Sequence, residues 1–159
     1  MAEQTQTSRV MLVVVDESAE HQVALRFACL RASHTGGRVA MLYVLEPTDS
    51  QQWGAVEDLM REEKRAEAEA VVKSLSEKVF EWSGSMPIIF LREGKVRDEL
   101  LKLIEEEPSI SILVLGAASG PQGPGPLVTH LAGKVAGRLR IPVTIVPGGL
   151  TDSQLASLT

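Results

Sequence analysis

Residues 112–130, ILVLGAASGPQGPGPLVTH, contain an apolar run, a glycine that stops it, and a segment with three more glycines and three prolines before a helix-like stretch begins. A short apolar run bounded by turn residues suits a strand buried on both faces. A glycine-rich turn leading into a helix can converge backbone N–H groups on an anion. The stretch therefore reads either as a phosphate-cradling loop or as an ordinary surface loop, and glycine content alone does not decide between them.

The same strand-then-helix alternation extends in both directions. Residues 10–15, VMLVVV, form a β-branched apolar run that Asp16 ends. The stripe Val23, Ala24, Phe27, Ala28 then marks a helix closed by Gly36–Gly37. Residues 38–45, RVAMLYVL, read as the second strand, followed by the polar connection EPTDSQQWGAVED. From Val56 to Phe80 the chain is rich in helix formers. Val56, Leu59, Met60, Ala66, Val71, Leu75, Val79 and Phe80 give this helix an irregular apolar face, and the lack of a heptad excludes a coiled coil. Residues 86–91 form the third strand, 95–107 the third helix with Val96, Leu100, Leu103 and Ile104 inward, and 110–115 the fourth strand. A fourth helix is expected over 130–139, facing inward through Leu131, Val135 and Leu139, with Gly133 and Gly137 allowing close packing on the sheet. Residues 142–146, PVTIV, read as the fifth strand.

Helices alternating with fully apolar strands predict an α/β domain with a parallel five-stranded sheet covered on both faces. The 159 residues fit one domain. Residues 1–8 and the tail 148–159 read as flexible ends around a domain over 9–147.

Sixteen basic against 21 acidic residues give a net charge of −5, with no electrostatic reason to expect nucleic acid or an anionic membrane as partner. The single cysteine, Cys29, excludes an intrachain disulfide and suits a reducing compartment. No apolar stretch approaches a membrane span and the N-terminus lacks a signal-peptide core, so a cytoplasmic location is expected.

The sequence lacks the common catalytic and nucleotide-binding motifs. There is no GKS or GKT triplet, no dinucleotide fingerprint after the first strand, and no nucleophile elbow. His21 and His34 have no metal-ligand spacing and read as surface or packing residues, so no metal is expected. His130 stands beside the glycine loop, placed either to donate to a phosphate or to face solvent. In an open α/β sheet, ligands gather at the carboxyl ends of the strands. Asp16, the end of strand two and Gly116 fall there.

Four segments together, VVVDESAEHQVALRFA, RVAMLYVLEP, LREGKVRDELLKLIEEE and ILVLGAASG through RLRIPVTIVP, resemble the UspA-like universal stress protein family. The resemblance implies an adenine-nucleotide α-hydrolase-like, Rossmann-like fold with strand order 3-2-1-4-5. It also implies a homodimer joined through strand five, Pro142, Val143, Thr144, Ile145 and Val146. ATP-binding members carry G-x-x-G, nine residues, then G and Ser or Thr. Laid on this chain without gaps, the pattern keeps Gly116 but meets Ser119, Thr129 and His130 at its other positions. Gly120 replaces the second glycine if the loop shifts by one residue. Pro121, Pro124 and Pro126 remove N–H donors. At the adenine end, Asp16 matches the family aspartate near base or ribose, Val44 the strand position bordering adenine, and Gly94 the glycine before helix three. Ser111 stands where many members have an aspartate, a change read as structural.

The resulting expectation is a stress-response or regulatory homodimer acting through a protein partner or a small ligand, without clear catalysis. The alternative is an adenine-nucleotide-binding member with slow ATP hydrolysis. Weak or absent ATP binding is expected from the broken motif.

Overall fold

The computed structural model describes residues 9–16, 18–47 and 54–159. The segment 1–8, expected to be flexible, and residues 48–53 of the polar connection lie outside the described residues. Five parallel strands, β1 (Val10–Val14), β2 (Arg38–Leu45), β3 (Ile88–Glu93), β4 (Ile110–Ala117) and β5 (Val143–Pro147), form one sheet in the order β3-β2-β1-β4-β5. This is the expected single-domain α/β architecture. The helices are α1 (Ala19–Thr35), α2 (Gly54–Ser83), α3 (Val96–Glu106), α4 (Pro126–Ala132) and α5 (Asp152–Leu158), with a short 3₁₀ turn at Ala136–Arg138.

The two faces of the sheet bury separate apolar layers. Met11, Val13, Val15, Met41 and Val114 meet Ala24, Leu25 and Ala28 of α1 and Val72, Leu75 and Val79 of α2. Leu12, Val14, Leu42, Leu113 and Leu115 meet Leu100, Leu103 and Ile104 of α3 and Val128 and Leu131 of α4. The period-2 alternation of each strand thus feeds both layers, which is why the central strands read as continuous apolar runs. Burying each Leu, Ile or Val of these layers contributes about 1.5–3 kcal/mol before entropy is subtracted.

Several boundaries differ from the sequence reading. Helix α2 buries Ala68, Val72, Leu75 and Val79, whereas Leu59, Met60 and Phe80 of the expected apolar face are exposed. Strand β3 lies two residues later than expected, because Ala40–Leu45 of β2 pairs with Ile88–Glu93. It is an edge strand, so Arg92 and Glu93 are tolerated in it. The fourth helix starts at Pro126, not residue 130, since proline at the first helical position fixes φ where no N–H is needed. It stops at Gly133, whose backbone (φ −94°, ψ −113°) is not helical. Gly137 has open space where a Cβ would be, so neither glycine acts as a sheet-packing residue as expected.

The tail is the largest departure. Residues 152–158 form helix α5 rather than a flexible end. Thr151 accepts from the Gln154 N–H while the Gln154 side chain accepts from the Thr151 N–H, a reciprocal cap. Leu155 is buried in the α1–α2 layer, and Asp152 meets Arg26 at 3.3 Å. Arg26 also lies 5.1 Å from the Trp82 ring centroid, linking α1, α2 and α5.

Two polar side chains settle local questions. Ser111 occupies the irregularity where β4 slips one residue against β1, and its hydroxyl donates to the Val10 carbonyl at 3.2 Å. Its role is structural, as expected. Arg140 donates to the carbonyls of Ile104, Glu107 and Ile110, satisfying the end of α3.

Candidate functional site

The strand order reverses between β1 and β4, so the chain leaves a crevice at their carboxyl ends. The ladder between β1 and β2 closes with the Val15 N–H donating to the Leu42 carbonyl at 2.9 Å. Val44 lies beyond that last rung, at the lip of a cleft of about 520 Å³. Asp16, His21, Glu46, Gly116 and Val128 also line it.

Asp16 is held by its immediate sequence. Its Oδ1 accepts from the Ser18 N–H at 2.6 Å, an Asx turn that starts α1. The same oxygen lies 2.7 Å from His21 Nδ1, one turn along the helix. That approach lies outside hydrogen-bond directionality, so it is a charge contact when the ring is protonated. Partial burial raises the Asp16 pKa, but His21 and Ser18 together outweigh it and hold it at about 2. The carboxylate is therefore charged at neutral pH. Among the described residues no hydrogen bond is seen at its second oxygen, half of the side chain is exposed, and the residue borders both the cleft and a smaller pocket against Ala70, Ser74 and Lys78 of α2. Asp16 is thus both a turn residue and a cleft-lining acceptor.

Gly116 serves the packing of the fold as well as the cleft. A Cβ there would collide with the Glu20 carbonyl of α1, and its glycine allows α1 to press onto β4. Gly148 makes the same kind of contact, with a Cβ position 2.7 Å from Glu20 Cβ.

Past Gly116 the loop opens into an adjoining groove of about 900 Å³, lined by Arg97, Gly120, Gly123, Thr129, His130 and Lys134 among others. Arg97, Gly125 and Pro126 border both spaces. Some of the loop's polar groups bond within it. The Ala118 N–H donates to Pro124, the Gly123 N–H to Gly120, and the Thr129 hydroxyl to Gly125. Gly123 and Gly125 have φ of 91° and 103°, the left-handed region that glycine accepts.

Of the sequence-derived candidates, Asp16, Val44 and Gly116 share the cleft, while Gly120, Thr129 and His130 share the groove. Ser119 lines neither, and its Cβ would lie 3.8 Å from a Cβ on Gly149. Gly94 borders a third pocket with Arg61 and Lys64. Its φ of 144° and the Glu99 side chain, 2.8 Å from a Cβ position, account for the glycine. Arg97, Lys134 and Glu46 were missed. Arg97 and Lys134 are exposed, and nothing in their local sequence separates them from other surface charges.

The universal stress protein family model matches residues 7–147. The chain belongs to the universal stress protein family. No curated protein matches this universal stress protein closely enough in sequence to count as a relative. Among solved structures it is similar to UspA from Lactobacillus plantarum, with 19% identity, TM-score 0.72, and coverage of 87% of this chain and 97% of that one. It is also similar to the Archaeoglobus fulgidus universal stress protein in complex with dAMP, with 18% identity, TM-score 0.56, and coverage of 87% and 96%. A third match is a universal stress protein in complex with cAMP, with 17% identity, TM-score 0.56, and coverage of 89% and 98%. At these identities the likeness establishes the shared fold. The family model ends where α5 begins to be built, so the helix that packs Leu155 against α1 lies outside the matched part of this universal stress protein.

Proposed function

We propose that this universal stress protein is a homodimeric regulator whose cleft binds a small adenosine-containing ligand and signals occupancy without turning it over. The observation that carries the reading is the meeting of Asp16, Val44 and Gly116 in one cleft at the point where strand order reverses. Asp16 supplies a fixed, charged acceptor for ribose hydroxyls or an amino group. Val44 supplies the free backbone edge of a strand end. The dAMP and cAMP complexes of two relatives of the same fold support adenosine as the shared part of the ligand. ATP binds weakly in this reading. The groove loop has three prolines, Thr129 where a glycine of the family pattern stands, and two N–H groups, of Ala118 and Gly123, already paired within it. Titration calorimetry with adenosine and AMP tests it. Micromolar binding weakened about tenfold or more in Asp16→Ala supports the cleft, since that variant removes a charged hydrogen-bond acceptor. Absence of binding by both ligands, or tight binding and turnover of Mg-ATP, overturns it.

The dimer is proposed through β5. This strand is an edge of the sheet, Ile145 is 41% exposed, and α5 packs on α1 instead of covering that edge. Sedimentation at micromolar concentration is expected to give a dimer for the wild type and a 17 kDa species for Ile145→Lys. A wild-type monomer rejects this interface.

A further inference from the structure

We infer that a second ligand site, at the amino ends of the strands and walled by α5, takes a small amphiphilic carboxylate, with its charged head on Arg9 and Arg31 and its apolar body against the sheet. The inference is independent of the nucleoside reading of the cleft, which lies at the opposite end of the strands.

A cavity of about 530 Å³ lies between the sheet, α1 and α5. Its place follows from the topology. Arg9 precedes β1, Gly37 precedes β2 and Ser111 stands near the start of β4, so these lining residues mark the amino ends of parallel strands. Met11, Ile112 and Val114 line it from the sheet, Phe27 from α1 and Leu158 from α5. The α5 wall is fixed. Leu155 is buried, Arg31 donates to the Thr159 carbonyl at 3.3 Å, and His34 Nδ1 lies 2.8 Å from the same oxygen. Leu158 is nevertheless 59% exposed, a large apolar side chain that the fold leaves uncovered beside the cavity. The family model ends at residue 147, so this wall lies beyond the matched part of the chain.

The charge in this cavity is of one sign. Among its described lining residues there is no Asp or Glu. Arg26, Arg61, Arg65 and Arg92 each meet a carboxylate elsewhere. The Arg9 side chain has neither an ion pair nor a hydrogen bond among the described residues, and Arg31 keeps N–H groups beyond the one donated to Thr159. A guanidinium fork suits the two oxygens of a carboxylate. Thr144 adds a hydroxyl. It shares the sheet face of Val146, two residues on, and has no partner among the described residues. The Thr35 and Ser111 hydroxyls are already donated to the Arg31 and Val10 carbonyls. The apolar lining narrows the class. Inorganic phosphate would leave Met11, Phe27, Ile112 and Leu158 uncovered, whereas an alkyl chain removes their surface from water. The volume falls in the range of roughly 300–1,000 Å³ that small ligands occupy. The chemical class is thus a monocarboxylic acid with a short alkyl body.

The test is methyl NMR and calorimetry on the full chain with hexanoate, octanoate, 1-octanol and inorganic phosphate. Octanoate is expected to shift the methyl signals of Met11, Ile112 and Leu158 and to leave that of Val44, in the cleft, unmoved. Two further buried methylenes are expected to favour octanoate over hexanoate about tenfold. Loss of the charged head is expected to make 1-octanol about tenfold weaker than octanoate. Arg9→Gln removes a side chain that holds nothing else among the described residues. It is expected to weaken octanoate about tenfold and leave 1-octanol unchanged. Leu158→Ala, at an exposed position, is expected to weaken both. Circular dichroism of each variant shows that it is folded. Four results each overturn the site: octanoate shifts at Val44 alone, equal affinities for hexanoate and octanoate, an unchanged octanoate affinity in Arg9→Gln, or phosphate binding as tightly as octanoate.

Discussion

The two ends of the candidate site are built on different principles. The end holding Asp16 and Val44 consists of strand termini whose strands are buried on both faces. Their positions follow from the core. The groove end is a loop of glycines and prolines that bonds in part to itself, with side chains arriving from α3 and α4. There the position of one residue says little about its neighbour. Gly116 marks the boundary, because it borders the cleft yet owes its lack of a side chain to the approach of α1.

The largest expected effect tests that boundary. Gly116→Leu would place a side chain on the Glu20 carbonyl, and a loss of about 4 kcal/mol or more is expected in denaturant unfolding. A folded, stable Gly116→Leu that loses only ligand binding would return this glycine to the groove's principle. Gly125→Ala sits on the loop side. Its space is open but its φ of 103° is hostile to alanine, and a cost of about 1–3 kcal/mol is expected. If the variant matches wild type, the loop is not held in this conformation.

Asp16→Asn keeps an acceptor for the Ser18 N–H but removes the charge facing His21. Because the carboxylate is half-exposed, solvent screening limits the expected loss to about 1 kcal/mol or less at neutral pH. The folded pKa of about 2 lies below the ordinary 3.8. The stabilisation is therefore present above about pH 4 and drains away as pH falls toward 2. Unfolding curves of wild type and variant are expected to converge over that window. A gap that persists at pH 2 would assign the effect to packing. The smallest effect is expected for Gly120→Ala, where a Cβ meets nothing within 4 Å and the backbone φ is not positive. A change within about 0.5 kcal/mol in thermal unfolding is expected, and a larger one would give the loop an order its contacts do not suggest.

These contrasts explain what was legible. The apolar runs at 10–15, 38–45 and 110–115 revealed their strands because burial on both faces removes polar residues from them. Asp16 stood out because it ends such a run. Strand β3 and helix α4 were displaced, since an edge strand tolerates Arg92 and Glu93, and Pro126 starts a helix from within what reads as loop. The stretch that forms helix α5 reads as a tail in sequence, although Thr151 and Gln154 carry its cap and Leu155 its single buried anchor. About two turns with one buried residue are too short a pattern to separate a helix from a polar end.

By itself the sequence determined the α/β alternation, the helix stop at Gly36 and the acid at the end of β1. These depend on the periodicity and backbone preferences of neighbouring residues. Only the tertiary structure decided that Gly116 is pressed by α1, that α5 docks on Arg26 and the α1–α2 layer, and that Arg97 shares a groove with His130 and Lys134. Those outcomes join residues tens of positions apart, through packing and charge placement that local pattern does not encode.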